Sequence, residues 1–136
     1  MNLLIIDDDS ICTFINTRIA ETSGLFTSIR CAHNGQEALE IFEAAGKGDN
    51  LPPDMILLDL NMPIMDGFDF LTALQKLSFP NKETLRIIVV TTSDLEQDIE
   101  RAQSLGIEHY LVKSLATKDL QATLFALKNK GPLTSP

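Results

Sequence analysis

The amino-acid sequence predicts an α/β fold, a doubly wound five-stranded parallel sheet with five helices, and three observations carry the prediction. Apolar runs of strand length alternate with stretches of helical period along the chain. The strongest of those runs are apolar at successive positions rather than at every second one, as strands buried between two helix layers are. The length of 136 residues is one domain's worth, enough for a single core but not for a catalytic domain with a separate output domain. Strand-helix alternation with right-handed crossovers then yields a parallel sheet covered on both faces.

Each element has its own justification. Leu3-Leu4-Ile5-Ile6 is short, apolar on both faces and rich in branched residues, the pattern of a buried strand. It runs into Asp7-Asp8-Asp9, where Asp9 is read as satisfying the N-terminus of the first helix. Leu25 to Cys31 mixes polar residues into its apolar pattern and reads as an edge strand. Gln36 to Ala45 places Ala38, Leu39, Ile41 and Phe42 on one face of a second helix, which Gly46 and Gly48 end. Asp54 to Asp59 is the third strand. Asp66 caps a third helix through Phe68, Leu71 and Leu74 to Leu77, and Phe79-Pro80-Asn81 breaks it. Arg86 to Val90 is the fourth strand. Ser93-Asp94-Leu95-Glu96 has capping-box spacing ahead of a fourth helix closed by Gly106. His109 to Val112 is the fifth strand, and the last helix holds Leu120, Leu124, Phe125 and Leu127. One domain over residues 1–130 is expected, followed by a short disordered tail over 131–136.

Charge narrows the function. With 19 Asp and Glu against 11 Lys and Arg, the net charge is -8, which argues against nucleic acid and anionic membranes as partners, since each phosphate contact wants a cation. No apolar stretch approaches the roughly 20 residues of a membrane span. Two cysteines, Cys12 and Cys31, are too few for a disulfide framework, and a reduced, cytoplasmic protein is expected. Residues 1–100 hold 17 acids and 6 bases, a charge of -11, whereas 101–136 hold 2 acids and 5 bases, a charge of +3. That contrast is a candidate guide for docking.

In doubly wound sheets the functional crevice lies at the carboxyl ends of the strands. There the sequence puts Asp7-Asp8-Asp9, Asp59, Thr91-Thr92-Ser93 and Lys113-Ser114. Carboxylates packed that closely repel one another and need a cation, and oxygen-only ligands favour a hard ion such as Mg2+. Ordinary structural duties exist for a lone lysine and for a Thr-Thr-Ser run, on the surface and at a helix start. Asp59 has no such duty, because it closes a very apolar strand and is followed by the Pro63 turn rather than by a helix N-terminus.

Leu4-Ile5-Ile6-Asp7-Asp8-Asp9, Leu57-Leu58-Asp59-Leu60-Asn61-Met62-Pro63 with Asp66-Gly67, Val89-Val90-Thr91, and Tyr110-Leu111-Val112-Lys113 resemble, in order and spacing, the receiver domains of two-component response regulators. The stand-alone, chemotaxis-regulator-like members are the nearest in kind, and the resemblance covers nearly the whole chain. It implies the flavodoxin-like strand order 2-1-3-4-5. It also implies that Asp59 is the phosphoacceptor, and that Mg2+ is held by Asp7, Asp8, Asp59 and the backbone carbonyl of Asn61. Thr91 and Lys113 would then contact the phosphoryl oxygens. Thr91 and Tyr110 would form a switch, the hydroxyl moving toward the phosphoryl group and the ring entering the space it leaves. The implied phosphodonor is a sensor histidine kinase or histidine phosphotransfer protein. The implied output is a target protein bound on the face of the fourth helix, fifth strand and fifth helix, where two copies could also pair. Such a protein is a signalling switch that catalyses its own phosphotransfer and autodephosphorylation rather than an enzyme acting on a separate substrate.

Two readings compete with this one. A Mg2+-dependent phosphohydrolase of small molecules also uses an Asp nucleophile, but commonly has a second Asp two residues later, where this chain has Asn61. A degenerate receiver would bind partners without phosphorylation, and the intact set Asp7, Asp8, Asp59, Thr91 and Lys113 counts against it. Three departures from the family pattern stand out. Ser114 replaces the proline that usually follows the lysine, so a cis bond there would cost about 3 kcal/mol. Thr92 is bulkier than the usual residue and is expected to slow access of donor or water. Residues Ser78 to Thr84 make a longer segment, read as a tolerated surface insertion. His33 and His109 stand alone and are given no role.

Overall fold

Past the ends of the first and third strands the backbone ladder continues for one more residue, and this extension holds the acidic residues in place. In a computed structural model, which describes residues 1–113 and 116–129, five parallel strands form one sheet in the order β2-β1-β3-β4-β5. The strands are β1 (Asn2–Ile6), β2 (Ser28–Ala32), β3 (Met55–Leu58), β4 (Arg86–Thr91) and β5 (His109–Val112). The helices are α1 (Ser10–Ser23), α2 (Gly35–Gly46), α3 (Gly67–Gln75), α4 (Glu96–Ser104) and α5 (Ala116–Asn129). The Lys113-Ser114 peptide bond and the tail over 131–136 lie outside the described residues.

Alternation along the strands divides the core into two layers. Leu4, Ile6, Ile56, Leu58 and Val89 face Ala38, Phe42, Phe68, Phe70, Leu71 and Ala102 of α2, α3 and α4. Leu3, Ile5, Met55, Leu57, Ile88 and Val90 face Ile19, Ala20, Leu120, Leu124 and Leu127 of α1 and α5. β1 and β3 are therefore buried on both faces, whereas β2 and β5 are the partly exposed edges.

Caps set the helix starts. Asp9 accepts from the N–H groups of Ile11 and Cys12 at 2.9 and 3.3 Å, Asn34 from Glu37 at 2.9 Å, and Asp66 from Asp69 at 2.8 Å. The capping box expected at Ser93 is not formed. Ser93 Oγ donates to Asp98 Oδ2 at 2.6 Å, and α4 begins behind Leu95 with no side-chain cap. Ser93 Oγ also accepts from Leu95 N at 3.4 Å, and the Ser93 backbone is held by Thr91 two residues back and by Tyr110 from the neighbouring strand. At the far end Gly106, at φ +87°, takes the left-handed turn that closes α4.

The segment 78–84 is not the purely surface insertion its sequence suggests. Phe79 is buried, its ring 4.9 Å from that of Phe42, so an aromatic anchor pins the loop to the α2–α3 layer. Lys82 secures the same loop by donating to the carbonyl oxygens of Gln75, at 2.8 Å, and Leu77 at the end of α3. Phe79→Ala is accordingly expected to lower the unfolding free energy by about 2–3 kcal/mol, below the usual cost of a central Phe→Ala because an edge site can collapse. Urea titration monitored by circular dichroism measures this directly. A loss within about 0.5 kcal/mol would return the segment to the status of surface decoration.

Candidate functional site

The site is assembled from strand ends. Asp7 N donates to Ala32 O at 3.1 Å, extending the β1–β2 ladder by one residue, and Asp59 N donates to Ile6 O at 3.0 Å, extending the β1–β3 ladder. Both aspartates thus have rigid backbones just above the sheet. A glycine completes the seating of Asp59, because a Cβ on Gly67 would lie 2.6 Å from the Asp59 carbonyl oxygen and 2.8 Å from Leu60 Cα. The start of α3 can approach β3 this closely only without a side chain.

Asp7, Asp8 and Asp59 each offer a carboxylate oxygen, and the three lie within 4.8 Å of one another. Asp7 is 3% and Asp59 4% exposed, whereas Asp8 faces solvent at the mouth. Lys113, reaching in from the end of β5, bridges the buried pair, its Nζ 3.0 Å from Asp7 Oδ2 and 3.2 Å from Asp59 Oδ2. The remaining oxygens are also engaged, Asp7 Oδ1 by Asp9 N at 2.9 Å and Asp59 Oδ1 by Asn61 N at 3.2 Å.

Electrostatics follow from this geometry. Burial pushes the Asp7 carboxyl above the ordinary carboxylate range, and the Asp9 N–H and the Lys113 ammonium only partly offset it. For Lys113, burial alone would lower the ammonium, but the bond to Asp7 and the charges of Asp59 and Asp7 outweigh it and hold the group well above the ordinary lysine range. Three carboxylates and one ammonium leave a charge of -2. An oxygen-only donor set carrying that charge suits one hard divalent cation, so these residues fit Mg2+.

The hydroxyl side of the site is organised around Ser93. Thr91, fully buried at the end of β4, accepts at Oγ1 from Ser93 N at 3.4 Å. Tyr110, half-buried on the edge strand β5, donates its hydroxyl to Ser93 O at 2.9 Å. Burial is the main cause pushing the Tyr110 phenol up, against the lowering effect of its hydrogen bond to Ser93. Through Asp98, Ser93 also grips the first turn of α4. Thr91, Tyr110 and α4 therefore converge on one residue that the sequence places at the end of the fourth strand and gives no role beyond a helix cap. Its importance had no local signal, because it arises from β4 and β5 being neighbours, with Val89 opposite Tyr110.

Other features were not legible either. Asn61 Nδ2 donates to Thr92 Oγ1 at 3.4 Å across the mouth of the site. Ile64 is 83% exposed and adopts φ +71°, an uncommon and strained conformation for a β-branched residue. Ile11, Phe14 and Ile15 form an exposed apolar stripe on α1 directly after the aspartates. His33 pairs with Glu37 at 3.1 Å, on an exposed stretch at the start of α2.

Comparisons with known proteins agree with the geometry. The profile of the response regulator receiver domain matches residues 3–125. The probable methanogenesis regulatory protein FilR2 of Methanothrix harundinacea is 30% identical over 93% of this chain and 80% of its own length. The nitrate/nitrite response regulator protein NarL of Escherichia coli is 33% identical over 90% of this chain but 52% of its own, so the chain spans about half of that relative. Response regulator Rcp1 of Synechocystis sp. is 29% identical over 87% of this chain and 80% of its own. The crystal structure of the Mn(2+)-bound form of Rcp1 superposes with a TM-score of 0.78 at 25% identity, covering 99% of this chain and 96% of that one.

Proposed function

The chain belongs to the response regulator receiver domain family, and from that premise we propose that it is a phosphorylation-controlled switch in which Asp59 accepts a phosphoryl group from a phosphohistidine. The observation that carries the reading is the buried Asp59 carboxylate held between Asp7, Asp8 and Lys113 at the carboxyl edge of the sheet.

In the transfer an Asp59 carboxylate oxygen forms the new bond to phosphorus while the bond between phosphorus and the donor imidazole nitrogen breaks, its electron pair staying on the imidazole. Asp7, Asp8 and Asp59, with the carbonyl of Asn61, are the residues that would hold Mg2+. When bound, the ion supplies positive charge for the equatorial phosphoryl oxygens. That Rcp1 crystallised in a Mn(2+)-bound form is in keeping with a divalent ion for this chain. Lys113 adds a second cation, already fixed at the buried carboxylates. Thr91 Oγ1 accepts from Ser93 N at 3.4 Å, and a phosphoryl oxygen offers its hydroxyl a strong, charged acceptor. A shift of Thr91 toward that acceptor loosens its hold on Ser93, and with it the contacts to Tyr110 and Asp98. The face of α4, β5 and α5 then changes shape, which is the output to a target protein.

The domain is assigned to residues 1–130, with a histidine kinase or phosphotransfer protein as donor. Among the described residues no helix is long and apolar enough to cross a membrane. A direct test incubates the protein with phosphoramidate and Mg2+ and follows intact mass over time. A transient gain of one phosphoryl group is expected, absent when EDTA replaces Mg2+ and reduced at least about 10-fold in Asp8→Ala. Incorporation indifferent to EDTA, or steady turnover of unrelated phosphoesters without an adduct, would overturn the proposal.

A further inference from the structure

The carbonyl that would complete the metal site belongs to Asn61, at the start of the loop joining β3 to α3, and the base of that loop is well fixed. Asn61 N donates to Asp59 Oδ1 at 3.2 Å, and Gly67 N closes the loop on Leu60 O at 2.9 Å. The crest of the loop is strained. Met65 N donates to Pro63 O at 2.8 Å, which makes a three-residue turn around Ile64 at φ +71°, a rare conformation and a costly one for a β-branched residue. The Ile64 side chain recovers little of that cost, since it is 83% exposed. Backbone strain of this kind persists only where neighbouring structure over-determines it. Here the crest is pinned from another element, because Gly35 N, at the first residue of α2, donates to Met65 O at 3.1 Å. So close an approach requires glycine, as a Cβ on residue 35 would lie 2.7 Å from Met65 O and 2.9 Å from Met65 Cγ.

We infer that Gly35 is a positioning residue for the metal site: its N–H, acting through Met65, holds the loop between β3 and α3 in the strained shape on which the Asn61 carbonyl depends as a ligand. The inference rests on the reading that Asp7, Asp8, Asp59 and the Asn61 carbonyl would hold Mg2+. Without the pin, Ile64 returns to negative φ, and the peptide planes between Asn61 and Met65 turn with it. The buried carboxylates are held independently, Asp7 N by Ala32 O and Asp59 N by Ile6 O, so the loss falls on the carbonyl. Gly35 touches neither the ion nor a reacting atom.

Calorimetric titration with Mg2+ alone, without a phosphodonor, reads this effect. Gly35→Ala is expected to weaken Mg2+ binding about 10-fold or more, as loss of a group that orients a ligand does. Gly46→Ala is the matched control, because a Cβ there would lie 2.6 Å from Ser78 O at the opposite end of α2, about 16 Å along the helix axis. It should stay within about 2-fold of the parent, as a distant, independent site does. Asparagine takes positive φ more readily than isoleucine, so Ile64→Asn keeps the loop in shape without the pin. The Gly35→Ala/Ile64→Asn pair should therefore recover to within about 3-fold of the parent. Reciprocity supplies a reading on the unmodified protein, since Mg2+ must tighten the pin by the factor by which the pin tightens Mg2+. Amide exchange at Gly35 should accordingly slow about 10-fold on saturation with Mg2+. Exchange at Gly48, whose N–H donates to Ala45 O at 3.1 Å past the far end of α2, should not change. Equal weakening in Gly35→Ala and Gly46→Ala, no recovery with Ile64→Asn, or Gly35 exchange indifferent to Mg2+ would overturn the inference. A parent protein that binds no Mg2+ contradicts the metal-site reading itself, whereas parental Mg2+ affinity in Gly35→Ala contradicts the role of Gly35 alone.

Discussion

Asp59→Asn is expected to lose phosphoryl incorporation by at least about 10³-fold, because a neutral amide is not a nucleophile toward phosphorus. The fold should survive the change. An asparagine oxygen still accepts from Asn61 N, the contact that Asp59 Oδ1 makes at 3.2 Å. The variant loses the bond between Lys113 and Asp59 Oδ2 at 3.2 Å but also relieves the repulsion that Asp59 exerts on Asp7. These two effects oppose each other, so urea denaturation should shift by no more than about 1 kcal/mol. Intact mass spectrometry on the folded variant checks the first part. An Asp59→Asn protein that takes up a phosphoryl group at the parental rate would place the chemistry elsewhere.

Lys113→Met carries the second large effect, and it acts on both chemistry and folding. The ammonium is the only described cation in contact with Asp7 and Asp59, at 3.0 and 3.2 Å. Its removal takes away one preorganised stabiliser of the transferring group, worth about 10²–10³ in rate. It also leaves two buried carboxylates facing each other, which costs about 3–5 kcal/mol when one member of a buried charged set is deleted. The pH dependence has a definite sign. Lys113 titrates above its ordinary range when folded, so its contribution is fully present at any pH below the ordinary lysine value and is lost only as pH rises through the higher folded value. Asp7 is pushed up by burial, so its charged form costs stability at neutral pH, and that cost fades as pH falls through its folded value toward the ordinary carboxylate value. The deficit of Lys113→Met in metal-free buffer should therefore shrink between neutral and mildly acidic pH, and added Mg2+ should shrink it at neutral pH. A deficit that is constant with pH and indifferent to Mg2+ would mean that Lys113 does not compensate the acids.

Much of this was legible in the chain because the decisive signals are local. Ile5-Ile6-Asp7-Asp8 and Leu58-Asp59 each write a buried strand and its polar end in consecutive residues, and a parallel sheet puts all such ends on one edge. Asp9 and Asp66 cap helices through bonds to residues two or three positions away. Ser93 misled because its pattern with Glu96 is a cap signal, while its actual partners Tyr110 and Asp98 come from an adjacent strand and from one helical turn further on. Phe79 hid beside Pro80-Asn81, whose turn chemistry masks an aromatic that reaches Phe42 far back in the chain. The contact between Asn61 and Thr92 required the register of β3 on β4, which periodicity alone does not specify.

The central claim is that one carboxylate, Asp59, becomes an acyl phosphate. Reducing the phosphorylated protein with borohydride converts an aspartyl phosphate to homoserine, and peptide mass spectrometry then reads the position. Homoserine at position 59 and nowhere else, appearing only when Mg2+ and phosphoramidate were both supplied, is the predicted result. Homoserine at Asp7 or Asp8, or none while the intact mass shows a phosphoryl group, would contradict the account.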